Sequence, residues 1–241
     1  MFLALKQYIS PVAVVLFIAT HTPMAMAGVV LSGTRVIYPM NEKEVTLKVT
    51  NKGKSPVLIQ NWIDDGDARA TPDKINVPFI ITPPINRIDP SKGQTLRISY
   101  TGTSQPKDRE SLYWLDVLEA PANPAKGSNP NYLQVAFRTR IKIFLRPDGL
   151  KVSSVQAAST VKWSSAGNVL TGKNDSPYFV SLEDIHLGSG ANSERIDGQM
   201  IEPFSSKAFT AKNSSLISAG NKITYRYLND WGAVQAVDVK L

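Results

Sequence analysis

From residue 45 onward the chain alternates apolar and polar positions in short segments, each closed by Gly, Pro, Asn or Asp. Val45 to Val49 alternates and meets the turn signal Asn51-Lys52-Gly53. Val57 to Ile63 ends at Asp64-Asp65-Gly66, and Phe79 to Ile81 runs into Pro83-Pro84. Thr95 to Tyr100 follows Pro90-Ser91-Lys92-Gly93, and then come Leu112 to Leu118 and the long run Leu133 to Leu145. A period of two predicts strands, each with one buried face, and no long amphipathic helix competes with them. About seven short strands at this spacing predict an immunoglobulin-like sandwich.

Arg146-Pro147-Asp148-Gly149 is the best boundary, because proline cannot continue a ladder and Asp-Gly is a turn signal. A second strand series follows: Val161 to Trp163, Val169 to Thr171, Tyr178 to Leu182, Lys207 to Thr210, Lys222 to Tyr227 and Ala233 to Val239. The expected fold class is therefore all-β, with two sandwich domains, residues 28–146 and 147–241, joined by a short stiff hinge. The two halves share no obvious sequence repeat.

The first 27 residues interrupt this pattern. Lys6 is their only charge, Pro11 to Ala19 is a short apolar run, and Ala25-Met26-Ala27 places small residues where a signal peptidase reads. The apolar run is about half the roughly 20 residues a membrane span needs, so residues 1–27 read as a secretory signal cleaved after Ala27. The mature chain is then exported and soluble.

Charge and composition mainly exclude. Lys and Arg outnumber Asp and Glu by 27 to 20, a net charge of +7, but the cations are scattered and form no nucleic-acid-like run. There is no cysteine, which excludes a disulfide framework, thiolate metal sites and a cysteine nucleophile. Of the two histidines only His186 lies beyond the signal, with no nucleophile motif nearby. No phosphate loop, metal cluster or glycine-rich cradle appears, so no catalytic residues, cofactor or metal are expected.

The run Leu133 to Leu145 is the most informative segment. Odd positions other than Thr139 hold large apolar groups, while even positions from 134 to 142 hold Gln, Ala, Arg, Arg and Lys. One reading is a sandwich strand with one face in its own core. The run would extend roughly 43 Å at about 3.3 Å per residue, which is long for a strand. The other reading is an edge strand that serves its own domain with part of its length and a partner chain with the rest.

Several segments, in order and behind a signal, resemble the periplasmic chaperones of the chaperone–usher pathway. Pro106 to Trp114 (PKDRESLYW) and Thr139 to Pro147 (TRIKIFLRP) carry most of the resemblance. Thr34 to Tyr38, Thr82-Pro83-Pro84, Asn174 to Tyr178, Pro203-Phe204-Ser205 and Asn229-Asp230-Trp231-Gly232 add to it. Asp116 departs, standing where the family signature usually has Asn or Cys, and Ala120 replaces a larger aliphatic before Pro121.

The resemblance implies an L-shaped pair of domains with the functional cleft between them. It implies that Arg35 and Lys142 bind the C-terminal carboxylate of a fimbrial (pilin) subunit. Leu133, Val135, Phe137 and Ile141 would be the donor-strand residues that fill a groove in that subunit, with Asn131 touching the far end. It casts Glu110, Arg146 and Asp230 as an interdomain charged triad that holds the domain angle. The short loop Pro121 to Pro130 is similar to the short-loop class, which serves rod-forming adhesive pili. Implied partners are fimbrial subunits and an outer-membrane usher, with self-association of the free protein as a way to hide the strand. No nucleic acid and no membrane insertion are expected. Two rivals are an adhesive or pilin-like module and a hydrolase on a β scaffold that uses His186.

Overall fold

The computed structural model describes residues 28–102, 104–121 and 133–241. The expected signal, Asn131 and nearly all of the loop from Pro121 to Pro130 lie outside the described residues. The fold is all-β and consists of two sandwiches.

The first sandwich packs two sheets. One is antiparallel, in the order β1 (Val29–Leu31), β3 (Val45–Asn51), β7 (Gly93–Tyr100), β5 (Phe79–Thr82). The other runs β2 (Arg35–Pro39), β9 (Phe137–Arg146), β8 (Ser111–Pro121), β4 (Val57–Asp64), β6 (Ile85–Ile88). In this second sheet β2 joins β9 in parallel, while β8 and β9 are antiparallel. Alternation dictates the core: Leu47, Val49, Ile59, Leu96, Ile98, Leu115, Ile143 and Leu145 all face inward. Tyr38 is fully buried with its polar end satisfied. Its hydroxyl donates to the Glu42 carbonyl at 3.1 Å and accepts from the Tyr100 N–H at 2.9 Å.

The second sandwich pairs β10 (Lys162–Ala166), β11 (Val169–Asn174) and β15 (Ser205–Thr210) in one sheet. The other holds β13 (Asn192–Asp197), β12 (Val180–Ser189), β16 (Lys222–Leu228) and β17 (Val234–Lys240), with β14 (Met200–Ile201) also paired to β12. A short helix, α1 (Ser154–Ser159), leads into it. The Ser153 hydroxyl caps the helix by accepting from the Gln156 N–H. Tyr225 donates to the Ala158 carbonyl at 2.9 Å and ties the helix to the core.

Three differences from the sequence reading have physical causes. β9 begins at Phe137, not at Leu133, because its ladder with β8 ends at the pair Glu119↔Phe137. β12 continues from the expected strand through Ser189 and so includes His186. β13 was not anticipated, since Asn192–Asp197 is polar along nearly its whole length and sits at a sheet edge.

Candidate functional site

β9 serves two environments along one face. Ile143 and Leu145 lie in the first core, whereas Phe137 is 65% exposed and Leu133, just before the strand, is 88% exposed. Val135 is exposed as well. Ile141 corrects the expected row. It is only 7% exposed, packed in the first core, and paired across the ladder with fully buried Leu115. The core reaches along this face as far as Ile141, while Thr139 is already outside it. The available row is therefore Leu133, Val135 and Phe137.

The edges of β9 change at the same place. β8 lines one edge from Phe137 to Leu145. β2 joins the other edge only from the pair Arg35↔Lys142 onward. Among the described residues Phe137 to Ile141 thus keep one sheet edge open, and that edge ends at two cations.

Register places Arg35 and Lys142 directly opposite each other. One Arg35 terminal nitrogen donates to the Leu228 carbonyl of the second sandwich at 3.1 Å, while Arg35 Nε is buried without a hydrogen-bond partner. Lys142 Nζ lies 3.4 Å from Ser181 Oγ and 5.6 Å from the Trp114 ring centre. Among the described residues neither cation has a carboxylate in ion-pair contact. Burial, and then the Arg35 charge, hold Lys142 down to about 8. Burial likewise lowers Arg35, with the Asp230 charge opposing it. Two half-buried cations with no carboxylate in contact among the described residues, one with a spare donor, form a site that favours an added anion.

The cleft wall is the expected triad, and the structure brings all three residues together. Arg146, at the end of β9, donates from Nε to Glu110 at 2.7 Å and bidentately to Asp230 at 2.8 and 2.9 Å. Ser154 adds a 2.8 Å bond to Asp230. Glu110 is 3% exposed, and its second oxygen accepts from the Phe179 N–H at 2.8 Å. Burial raises the Glu110 carboxyl despite the opposing Arg146 charge. Burial also pushes Asp230 upward, but the Arg146 bonds outweigh it and leave that carboxyl lowered. The hairpin bearing Asp230 is built tightly. Asn229 Oδ1 accepts from the N–H groups of Trp231 and Ala233, and a Cβ on left-handed Gly232 would meet Thr34 Oγ1 at 2.3 Å.

Sequence reasoning missed the second sandwich's share of this site. The Ser181 hydroxyl and the Leu228 carbonyl are brought beside the cations by the domain junction, and neither carries a local signal. His186 contacts Asp184, whose carboxylate also holds Arg195 and Arg226 on a sheet face.

Fold and cleft bring an open strand edge and a pair of cations together in one two-sandwich protein. The sequence matches the family described as "Pili and flagellar-assembly chaperone, PapD N-terminal domain" over residues 28–151. It matches "Pili assembly chaperone PapD, C-terminal domain" over residues 156–238. It is 43% identical to the probable fimbrial chaperone YadV of Escherichia coli K12, covering 86% of this chain and 87% of that protein. It is 40% identical to the chaperone protein FimB/FhaD of Bordetella pertussis, covering 90% and 89%. The Pseudomonas aeruginosa CupB2 chaperone superposes with a TM-score of 0.76 at 37% identity, over 88% of this chain and all of that one. The Salmonella enterica SafB chaperone, solved in complex with the SafA pilin, matches with a TM-score of 0.75 at 27% identity, over 91% and 99%. The chain belongs to the pilus-assembly chaperone family, whose members are chaperones and not enzymes.

Proposed function

We propose that this protein captures fimbrial subunits in the periplasm by lending them the open edge of β9, and delivers them to an outer-membrane usher. Leu133, Val135 and Phe137 enter an apolar groove on the subunit, and Arg35 and Lys142 take its C-terminal carboxylate. A chain terminus is an anion that every subunit offers, whatever its sequence. The observation that carries this reading is the coincidence of the two devices: the outward apolar row and open edge run straight into a cation pair that no described carboxylate contacts. Each charge-assisted hydrogen bond contributes about 1.5–3 kcal/mol, and burial of each large apolar side chain roughly 1.5–3 kcal/mol. Together they fix affinity and register, and no covalent bond changes. The Glu110–Arg146–Asp230 triad sets the domain angle that keeps both devices on one cleft.

The test is co-purification of the tagged chain from periplasm, wild type beside Lys142→Glu, with mass identification of bound protein. The expected result is a fimbrial subunit on the wild type alone, with both forms folded by circular dichroism. A stable complex on folded Lys142→Glu would sink the carboxylate anchor.

A further inference from the structure

The outward row of β9 has little on its own face to hold it. Phe137 and Thr139 are both largely exposed, and among the described residues only β8 flanks this stretch. Its other face is different. Behind it, β4 and β8 place Trp62, Asp64, Trp114 and Asp116 in neighbouring register: Trp114↔Lys142, Asp116↔Arg140, Trp62↔Asp116 and Asp64↔Trp114. Asp64 and Asp116 are fully buried, and both are engaged from β9.

Arg138 Nε donates to Asp116 Oδ1 at 2.7 Å, and its Nη2 donates to the Ala68 carbonyl at 2.6 Å. Its guanidinium lies 5.4 Å from the Trp62 ring centre. Arg140 takes Asp64 with both Nε and Nη2 and lies 4.2 Å from the Trp114 ring centre. Its Nε is also 3.6 Å from Asp116 Oδ2. Cations and rings thus interleave over two buried carboxylates. Arg138 is the outermost member, immediately beside Phe137. It is also the one that ties β9 both to β8 and to the loop after β4.

We propose that the Arg138–Asp116 pair is a positioning clamp that holds the start of β9 extended before any subunit arrives, so that Phe137 and the residues leading into it are presented outward. The inference rests on the strand-lending reading above and names residues that reading does not need. An exposed edge strand ordered only by its partner loses backbone and side-chain freedom during capture. Ordering it beforehand moves that loss out of the binding step. The rate of capture should then depend on the clamp. Release should not, because the bound partner itself holds the strand.

The experiment compares wild type, Arg138→Gln, Arg138→Lys and Asp116→Asn. Hydrogen exchange of the amides of residues 137–140 is read against amides of β12 and β16 as an internal stability standard. Binding kinetics use a short synthetic peptide of alternating apolar residues with a free C-terminal carboxylate, beside its amidated twin. In Arg138→Gln and Asp116→Asn, exchange at 137–140 should quicken about tenfold while the standard stays put. The association rate should fall about tenfold with dissociation within about twofold. Arg138→Lys, which keeps the charge but not the two-acceptor fork, should fall between. Unchanged exchange at 137–140, or a loss carried by dissociation, overturns the clamp. Equal wild-type binding of the acid and amide peptides would instead overturn the carboxylate anchor, while the exchange result still decides the clamp.

Discussion

At the scale of single residues the decisive group is Lys142. Its lowered value means that the neutral lysine suits the folded site better than the charged one. That advantage is complete above the unfolded value of 10.5 and is lost as pH falls through about 8. At neutral pH the free protein therefore carries a charged Lys142 against the preference of its site, and the proposed guest carboxylate would reverse that preference. Binding should raise the Lys142 value and take up protons near pH 8, and affinity should fall as pH rises beyond it. Calorimetry at pH 8 in two buffers of different ionisation heat measures the uptake directly. Uptake from the free-acid peptide and none from the amide is the expected pattern; equal uptake from both places the titration elsewhere. Arg35, by contrast, keeps its charge throughout this range and supplies geometry.

At the scale of elements the lesson of β9 is that one alternating pattern can describe two surfaces. Periodicity made its face assignment legible, and Val45 to Val49, Val57 to Ile63 and Lys222 to Tyr227 were legible for the same reason. What the pattern does not carry is where along a face the core stops. Ile141 and Phe137 are both large, apolar and on odd positions, yet only Ile141 meets the opposing side chains. Serine at the two positions should therefore act differently. Ile141→Ser should cost about 3 kcal/mol of stability in urea unfolding, through lost burial and a buried hydroxyl. Phe137→Ser and Leu133→Ser should leave stability within about 0.5 kcal/mol, as exposed changes do, and weaken peptide binding instead. Comparable binding loss from Gln134→Ser would show that the wrong face has been assigned. The share of the cleft built by Ser181 and Leu228, and the pairing of Asp116 with Arg138, were illegible because they depend on partners far away in the chain.

At the scale of the whole molecule, Arg146 bridges two carboxylates from separate parts of the chain at the junction of the two sandwiches. The two carboxylates titrate in opposite senses. Asp230 is lowered, so its contribution is present above its unfolded value and lost as pH falls through the folded one. Glu110 is raised, so its contribution is present below its unfolded value and declines as pH rises through the folded one. A pH scan blends the two, and Arg146→Ala separates them from the arginine. It leaves two carboxylates facing each other, at a cost of about 3–5 kcal/mol in a buried setting. The expected outcome is a broadened distribution of interdomain distances in small-angle scattering, with near-native β-sheet circular dichroism. An unchanged scattering profile would show that the remaining junction contacts suffice.

β2 has a consequence of its own. It lies alongside β9 in parallel and starts at Arg35, so it fills the very edge that a guest strand would otherwise continue along. A visiting strand on the proposed path meets β2 as a doorstop. Its last residue halts there whatever its total length, and every side chain behind it is measured off from that point. On that path the protein would read a guest by counting backwards from its end, as a carpenter's gauge does, and a subunit lengthened by one residue at its terminus would present every pocket to the wrong side of the sheet.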